Sequence, residues 1–232
     1  MENNDWKPTA NRFVAFFDIM GFKDYVARNE HNIVVEKLMK MKTALNDLEN
    51  MNKDSSVKSL LNTSETRAIT FSDSIVFFSK GDTEQDVNKI LLDSAVFLFA
   101  CIGDGIAVKG AISFGEITVD FKNSLFFGQP IIDAYLLHDQ LLLYSAIIDH
   151  TFEVKLNSIT DKKLTSHFYS KYKANLKSGR VEHLLIGPTP AALNEHILNV
   201  SKLYENISGA PRIYIDNTLD FLNSLKAEYK SV

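Results

Sequence analysis

The sequence has little of several features that define whole classes of protein. Its single cysteine, Cys101, excludes an intrachain disulfide and a thiolate metal cage, and favours a reducing cytoplasm. No apolar run approaches the roughly 18 residues that a membrane span needs, and residues 1–10 are too polar for a signal peptide. A formal charge of −4 argues against a nucleic-acid-binding surface but not against a nucleotide, whose phosphates metal ions can neutralise. We therefore expect a soluble cytoplasmic protein without nucleic-acid or membrane partners.

The composition is that of an ordinary globular protein, and the predicted elements indicate its fold class. Over 232 residues it is 45% hydrophobic and 23% charged, with no internal repeat, low-complexity tract or clean linker. Strands are predicted at 12–17, 67–71, 74–79, 108–117, 125–127 and 143–149, and helices at 23–28, 32–48, 84–102 and 131–140. This order predicts an α+β fold with a mainly antiparallel sheet covered by helices on one face.

The remaining segments are less regular. Residues 50–65 are polar and aperiodic, which indicates a mobile connector. Within the C-terminal part, 155–177 is predicted to be helical in part, 181–186 a strand, 189–207 a helix and 212–227 to include a last helix. We expect residues 151–232 to form an elaboration packed on the domain formed by residues 1–150.

Two short stretches about 55 residues apart each place one carboxylate in strand-like, apolar surroundings. In the first, the apolar strand stops at Asp18, and Gly21 follows as a turn residue. In the second, Ser72 and Asp73 form the predicted two-residue turn of a hairpin. A carboxylate at the end of a buried strand must be paired, hydrogen-bonded or metal-bound, because an isolated charge there costs several kcal/mol. If the two ends meet, they form an oxygen-rich site suited to Mg²⁺ or Mn²⁺.

Both carboxylates also have ordinary structural interpretations. An aspartate after a strand is commonly a helix N-cap, and an aspartate in a hairpin is commonly a turn former. The residue pattern by itself leaves these alternatives open for Asp18 and Asp73.

Both motifs resemble a known family. Asp18-Ile19-x-Gly21-Phe22 resembles the first metal motif of the class III nucleotidyl cyclases. Ser72-Asp73 resembles the second, although that family usually has glycine before the aspartate. The likeness covers roughly residues 10–150 and implies a ferredoxin-like class III nucleotide cyclase domain.

The resemblance also implies a reaction and its residues. In this family the ribose 3′-hydroxyl of a nucleoside triphosphate attacks its own α-phosphorus, and pyrophosphate leaves. Asp18 and Asp73 would hold two Mn²⁺ or Mg²⁺ ions per site, with the Ile19 carbonyl as a further ligand. The site residues implied for the β- and γ-phosphates are the backbone amides of Met20, Gly21 and Phe22. Each site is shared between protomers, so a homodimer is implied as well.

Departures from the family bear on the substrate. Purine cyclases carry polar groups that read the base or stabilise the transition state at positions that are apolar here, namely Ile69, Leu125, Ile132 and Leu136. The bacterial pyrimidine cyclases of the Pycsar anti-phage systems share these departures. They resemble this chain in Lys109-Gly110-Ala111-Ile112-Ser113-x-Gly115-Glu116 and in Gly128-x-x-Ile131-x-x-Ala134-Tyr135. The resemblance implies conversion of UTP, or of CTP, to a 3′,5′-cyclic second messenger in anti-phage defence, with uridylate cyclase activity preferred.

Further site residues follow from strand alternation. Arg67, Ile69 and Phe71 share one side of a strand with Asp73, so we hypothesise that Ile69 and Phe71 narrow the base pocket to exclude purines. The alternative is that both are core side chains. Arg67 and Lys109 are the candidate catalytic cations for the phosphates, unless they are solvated surface charges.

Two competing functions stay open. One is a purine cyclase with an unusual pocket, and the other is a catalytically silent nucleotide-binding module. Retention of both Asp18 and Asp73 argues against the silent module, whereas the missing transition-state Asn and Arg argue for it.

Overall fold

A computed structural model describes residues 6–51, 64–159 and 165–230 of the chain. The segment interpreted as a connector lies mostly outside these described residues. The strands are β1 (Thr9–Ile19), β2 (Thr66–Phe71), β3 (Ser74–Ser79), β4 (Val108–Asp120), β5 (Leu125–Phe127), β6 (Ala146–Ile148), β7 (Tyr169–Leu176) and β8 (Gly179–Ile186). The α-helices are α1 (Phe22–Arg28), α2 (His31–Met51), α3 (Glu84–Gly103), α4 (Gln129–Gln140), α5 (His150–Asn157), α6 (Leu193–Lys202) and α7 (Arg212–Tyr229). Short 3₁₀ helices span Thr165–His167 and Leu203–Glu205.

The strands form one mainly antiparallel sheet, which confirms the predicted α+β class. Its order is β2-β3-β1-β4-β6-β8-β7, with β5 paired to β4. Only the β4–β6 pairing is parallel among the described strands. The sheet thus continues into the C-terminal residues through β8, which pairs with β6.

Strand β1 is an interior strand of the sheet, and its apolar run is buried. It pairs with β3 along one edge and with β4 along the other. Phe17 contacts Phe97 of α3 with ring centroids 5.2 Å apart, whereas Phe16 contacts Tyr135 of α4 at 5.6 Å. Consecutive side chains of a strand point to opposite faces, so helices cover both faces of this region. The expectation of helices on one face only was therefore wrong.

Strand β4 lies alongside β1 as its antiparallel partner, and one position of β4 leaves room only for glycine. A Cβ atom on Gly110 would lie 2.5 Å from the Phe16 carbonyl oxygen and 2.6 Å from Cδ1 of the Phe17 ring. Any side chain there would collide with the strand that carries Asp18. Gly110 thus serves the packing of β1 against β4.

Most predicted elements are present, and the differences have local causes. The strand predicted at 143–149 is shortened to β6, because the Tyr144 amide donates to Thr218 Oγ1 and not to a neighbouring strand. The prediction that 155–177 is helical in part agrees with the end of α5 and the 3₁₀ helix Thr165–His167, but the strand Tyr169–Leu176 was missed. The missed signal was alternation of Tyr172, Ala174 and Leu176 before a short turn.

Among the described residues, no helix is both long enough and apolar enough to cross a bilayer.

Candidate active site

The end of β1 meets the β2–β3 hairpin turn, which brings the two predicted carboxylates together. Asp18 lies directly opposite Ser74 in the β1–β3 pairing, and Asp73 is the residue before Ser74. The Ile19 amide donates to the Asp73 carbonyl oxygen at 3.1 Å, so the turn is bonded to the strand end. Ser72 has a φ of 57°, the left-handed conformation that a tight two-residue turn needs. The two remote stretches therefore form one site.

The electrostatics of Asp18 show the effect of this meeting. Burial and the nearby Asp73 carboxylate raise the pKa of Asp18 to about 6, although a hydrogen bond from Ser74 opposes the shift. In that bond Ser74 Oγ donates to Asp18 Oδ1 at 3.1 Å. Two carboxylates that repel each other in a partly buried place are stabilised by a shared cation. Asp18 and Asp73 thus fit a divalent metal ion. The carbonyl of Ile19, the residue after Asp18, is the further candidate ligand.

Ser74 is a site residue to which the sequence argument assigned no role. Its signal was present, because a two-residue turn after Phe71 fixes the register that puts Ser74 opposite the end of β1. Its hydroxyl holds one Asp18 oxygen, which leaves the other available to a ligand. Among the described residues, no group of three or more His, Cys, Asp and Glu side chains is clustered for metal binding. The site is therefore a two-carboxylate arrangement.

The chain turns sharply after Asp18 and Ile19. Gly21 adopts a φ of 72° and precedes the first residue of α1. The Met20 amide donates to the Ala107 carbonyl oxygen at 2.8 Å, so it is already engaged and is not a free phosphate donor. This corrects the expectation for Met20 and leaves the amides of Gly21 and Phe22 as the candidates. The Phe22 side chain is buried and packs in the core.

Lys109 lies beside Asp18 but is directed toward the end of a helix. The two residues are opposite each other on β1 and β4. The buried Lys109 ammonium donates to the carbonyl oxygens of Leu141 at 2.9 Å and Asp139 at 3.3 Å, at the C-terminus of α4. Cations at helix C-termini interact favourably with the helix dipole. Burial lowers the pKa of Lys109 to about 8, while the negative charges of Asp139 and Asp18 oppose that shift. Lys109 is therefore not a solvated surface charge.

Arg67 lies at the opposite end of the hairpin from the carboxylates. It pairs with Phe78, which is about 13 Å along β3 from Ser74 at roughly 3.3 Å per residue. Its guanidinium carbon lies 4.7 Å from the centroid of the Trp6 ring, and its Nε bonds Glu65 at 2.7 Å. This placement contradicts the expectation that Arg67 supplies a catalytic cation.

The two candidates for the base pocket differ in exposure. Ile69 is partly buried and packs against the core, as its structural alternative predicts. Phe71 is 82% exposed on the edge strand β2, so it is not a core residue. Phe71 lies opposite Ser74 in the β2–β3 pairing, and Ser74 bonds Asp18, so the backbone of Phe71 is one strand away from the end of β1.

Three of the four positions that lack the purine-cyclase polar groups lie on an exposed apolar surface, here called the α4 patch, whereas the fourth, Ile69, is partly buried. Each of its side chains is at least half exposed: Leu125, Phe127, Ile132, Tyr135 and Leu136. Tyr135 also contacts Phe16, which shares a strand face with Asp18. Sequence comparison had identified three of these positions, but their common exposure required the structure. Large exposed apolar patches commonly mark interaction surfaces.

Two cavities lie away from the carboxylates. One of about 490 Å³ lies between α2, β2 and α3, and the other, of about 400 Å³, lies beside α1 and α2. Asp18 and Asp73 line neither cavity.

No protein-family model matches the sequence, and no curated protein matches it. Solved structures do resemble the fold. A bacterial light-regulated adenylyl cyclase is 12% identical with a TM-score of 0.51, and the match covers 85% of this chain and 100% of that one. The non-canonical dimeric guanylyl cyclase domain of a fusion protein from the aquatic fungus Blastocladiella emersonii is 9% identical, with a TM-score of 0.52 and coverages of 78% and 97%.

A third neighbour has a nucleotide analogue bound. It is the catalytic core of a rhodopsin-guanylyl cyclase with converted specificity in complex with ATPαS, 11% identical, with a TM-score of 0.52 and coverages of 79% and 98%. At these identities the likeness is one of architecture. The chain therefore has the α+β fold of the class III nucleotide cyclase domains.

Proposed function

We propose that this protein is a pyrimidine nucleotide cyclase, which converts UTP or CTP to the 3′,5′-cyclic nucleotide and pyrophosphate, with UTP preferred. The observation that carries the proposal is the meeting of Asp18 and Asp73 at one end of a cyclase-like sheet, where burial and the Asp73 charge raise the pKa of Asp18. Two close, partly buried carboxylates lower the stability of the folded protein unless a cation is bound between them. Such a pair is therefore typical of a metal site.

In the proposed reaction, the 3′-oxygen forms a bond to the α-phosphorus, and the bond from that phosphorus to the bridging oxygen of the β-phosphate breaks. The hydroxyl proton is lost to solvent, and the electron pair leaves with pyrophosphate. Bound Mn²⁺ or Mg²⁺ would lower the pKa of the 3′-hydroxyl and neutralise charge on the leaving phosphates. Asp18, Asp73 and the Ile19 carbonyl would hold the ions, and the Gly21 and Phe22 amides would bind phosphate oxygens.

Lys109 is the proposed cation on the substrate phosphates. It lies opposite Asp18 on the neighbouring strand, and its side chain has four rotatable carbons between backbone and ammonium. Movement of the ammonium from the Leu141 and Asp139 carbonyls toward a bound triphosphate would exchange neutral acceptors for charged ones. The pKa of about 8 makes this cation sensitive to pH near neutrality.

A homodimer is part of the proposal. The carboxylate pair lies outside both cavities, and the α4 patch exposes apolar side chains on the Asp18 face of the sheet. A second copy that covers this surface would close the site and remove the patch from water. Leu136→Asp is expected to convert the dimer to a monomer in light scattering and abolish activity. The equally exposed Leu198→Asp on α6 is the matched control. A Leu136→Asp variant that stays dimeric and active would contradict this arrangement.

Two features support a pyrimidine over a purine. The purine-reading positions are apolar, and a site without hydrogen-bonding groups for adenine or guanine cannot select them by polar contacts. Phe71 is an exposed side chain whose backbone is one strand away from the end of β1, available to stack on a base or on a partner. Phe71→Ala is expected to raise turnover of purine triphosphates relative to UTP. An unchanged preference in this variant would eliminate the pocket.

The decisive assay presents the purified protein with ATP, GTP, CTP and UTP separately in Mn²⁺ and identifies products by mass spectrometry. A cyclic pyrimidine product that disappears in Asp73→Ala but persists in Asp220→Ala would support the proposal, since Asp220 is an exposed carboxylate on α7, outside the α4 patch. A cyclic purine product would establish the purine cyclase instead. The second-messenger role in anti-phage defence rests on the resemblance to the pyrimidine cyclases and follows only if that product is found.

A silent nucleotide-binding module is the second candidate function, and a specific observation favours it. Ile132 and Leu136 are exposed and apolar where the family has its transition-state Asn and Arg. Nucleotide binding in calorimetry without any cyclic product from the four triphosphates would establish this function.

A further inference from the structure

A cavity of about 400 Å³ lies beside the turn that follows Asp18. Its walls come from α1, α2 and the segment between α3 and β4, and they include Tyr25, Lys37, Lys40 and Ile106. Asn206 also lines the cavity. None of these residues has a role in the proposed reaction.

Two lysines of α2 bring positive charge to this cavity. Lys37 and Lys40 are three residues apart, so they lie on the same side of the helix. The Lys37 ammonium lies 4.1 Å from the centroid of the Tyr25 ring. Burial and the neighbouring Lys40 charge lower the pKa of Lys37. In the described part of the chain, neither ammonium has a carboxylate within 4.0 Å. An anion that bridged the two would relieve their mutual repulsion.

Two carboxylates also line the cavity, and they narrow the class of anion. Glu36 and Asp104 offset the charges of the two lysines, so these four side chains together carry no net charge. A simple monovalent anion, attracted only by net charge, would therefore bind weakly here. Their oxygens suit a divalent cation that is already bound to phosphate oxygens, since Mg²⁺ is commonly held by one or two carboxylates together with phosphates. The cavity thus combines groups for both parts of a metal–polyphosphate complex.

Two backbone hydrogen bonds connect the cavity to the candidate active site. The Tyr25 amide donates to the Gly21 carbonyl oxygen at 3.0 Å, which places Tyr25 one helical turn from the Gly21 turn. Ile106 precedes Ala107, whose carbonyl oxygen accepts the bond from the Met20 amide at 2.8 Å. Both walls are therefore attached to the same turn that positions Asp18.

We propose that this cavity is a second binding site, which takes pyrophosphate together with its Mg²⁺ ion after the leaving group departs from the carboxylate pair. Lys37 and Lys40 contact the phosphate oxygens, and Glu36 and Asp104 contact the cation through its water shell. The proposal rests on the proposed function for the source of pyrophosphate. The binding itself is a property of the cavity and is measurable without turnover.

The test uses the full chain with both site carboxylates neutralised, as Asp18→Asn with Asp73→Asn, so that the active-site metal ions no longer contribute. Calorimetry with inorganic pyrophosphate and Mg²⁺ is expected to show one site per chain. Adding Lys37→Met and Lys40→Met is expected to weaken binding at least tenfold. Lys42→Met, an exposed lysine elsewhere on α2, is expected to leave binding unchanged. Lys37→Arg with Lys40→Arg keeps the charges and is expected to retain most of the affinity.

Urea unfolding of each variant establishes whether the fold is intact. Binding that is absent when Asp18 and Asp73 are neutralised, or that is equally weakened by Lys42→Met, would overturn the proposal. In the active chain, Lys37→Met with Lys40→Met is expected to raise the inhibition constant for pyrophosphate at least tenfold. If no triphosphate is cyclised but the lysine-dependent binding is present, the proposed function fails and the cavity assignment stands. If cyclisation occurs and pyrophosphate binds only at the carboxylates, the proposed function stands and the cavity assignment fails.

Discussion

Neutralising Asp18 is expected to stabilise the metal-free protein, although most substitutions of partly buried residues do the opposite. The pKa of Asp18 is about 6, against an ordinary value of 3.8, because burial and the Asp73 charge disfavour its ionised form. The folded chain therefore keeps a proton that the unfolded chain has already lost between about pH 4 and pH 6. Unfolding releases that proton, so the contribution of Asp18 to stability is present at low pH and is lost as the pH rises through 6.

The magnitude follows from the size of the shift. About two pKa units correspond to about 3 kcal/mol. Solvent screening of this partly exposed group reduces the expected effect to about 1–2 kcal/mol. Asp18→Asn keeps an oxygen that can accept the Ser74 hydrogen bond while removing the charge. The variant is therefore expected to be more stable than the wild type by about 1–2 kcal/mol at pH 8, and about equally stable at pH 4.

Urea unfolding at pH 4 and pH 8 in the presence of a chelator measures this difference. Asp220→Asn, an exposed carboxylate on α7, is the control and is expected to change stability little at either pH. Addition of Mn²⁺ at pH 8 is expected to stabilise the wild type and not Asp18→Asn, since only the wild type retains both carboxylates. Two results would refute this explanation of the raised Asp18 pKa by burial and the Asp73 charge. One is a loss of stability in Asp18→Asn at pH 8, and the other is a gain that is the same at both pH values.

Three further predictions concern the metal and the packing. Mn²⁺ affinity, measured by calorimetry, is expected to fall about tenfold per pH unit below about 6, because Asp18 must lose its proton to bind; an affinity flat between pH 5 and 7 would contradict this. Gly110→Ala is expected to cost about 1–3 kcal/mol in urea unfolding because its Cβ would collide with Phe16 and Phe17. The control Gly103→Ala, whose Cβ would meet its nearest neighbour at 3.7 Å, is expected to be nearly neutral, and equal losses would contradict the packing argument. Asp93→Ala is expected to cost about 3–5 kcal/mol because it leaves the buried Lys89 ammonium unpaired, whereas adding Lys89→Met to it is expected to recover part of the loss.

Local patterns in the sequence were sufficient for the elements that carry the carboxylates. The apolar run before Asp18 and the turn pair Ser72-Asp73 both correspond to observed strand ends. The helix predicted after Thr83 is likewise present, and Thr83 forms a capping box with Asp86. These features depend on neighbours a few residues apart, which is why periodicity and turn chemistry identify them.

Contacts between distant segments were not available from those patterns. Arg67 and Lys109 are both cations near a strand, yet one stacks on Trp6 at the far end of the hairpin and the other binds the carbonyls that end α4. The exposure of Phe71 and of the α4 patch also depends on which strand lies at the sheet edge and which helix face is left uncovered. The neighbouring residues in the sequence look the same whether a charged or aromatic side chain is buried, exposed or bound to a distant segment.

The sequence by itself determined which residues turn the hairpin and placed the end of β1 within about two residues of Ile19, because backbone propensity and alternation act over a few residues. Only the tertiary structure decided that Asp18 and Asp73 become neighbours, that Met20 gives its amide to Ala107, and that Arg67 lies elsewhere. The pairing of β1 with β3 is the physical reason. It brings two carboxylates about 55 residues apart into one partly buried environment, where burial, and after it the Asp73 charge, raises the pKa of Asp18.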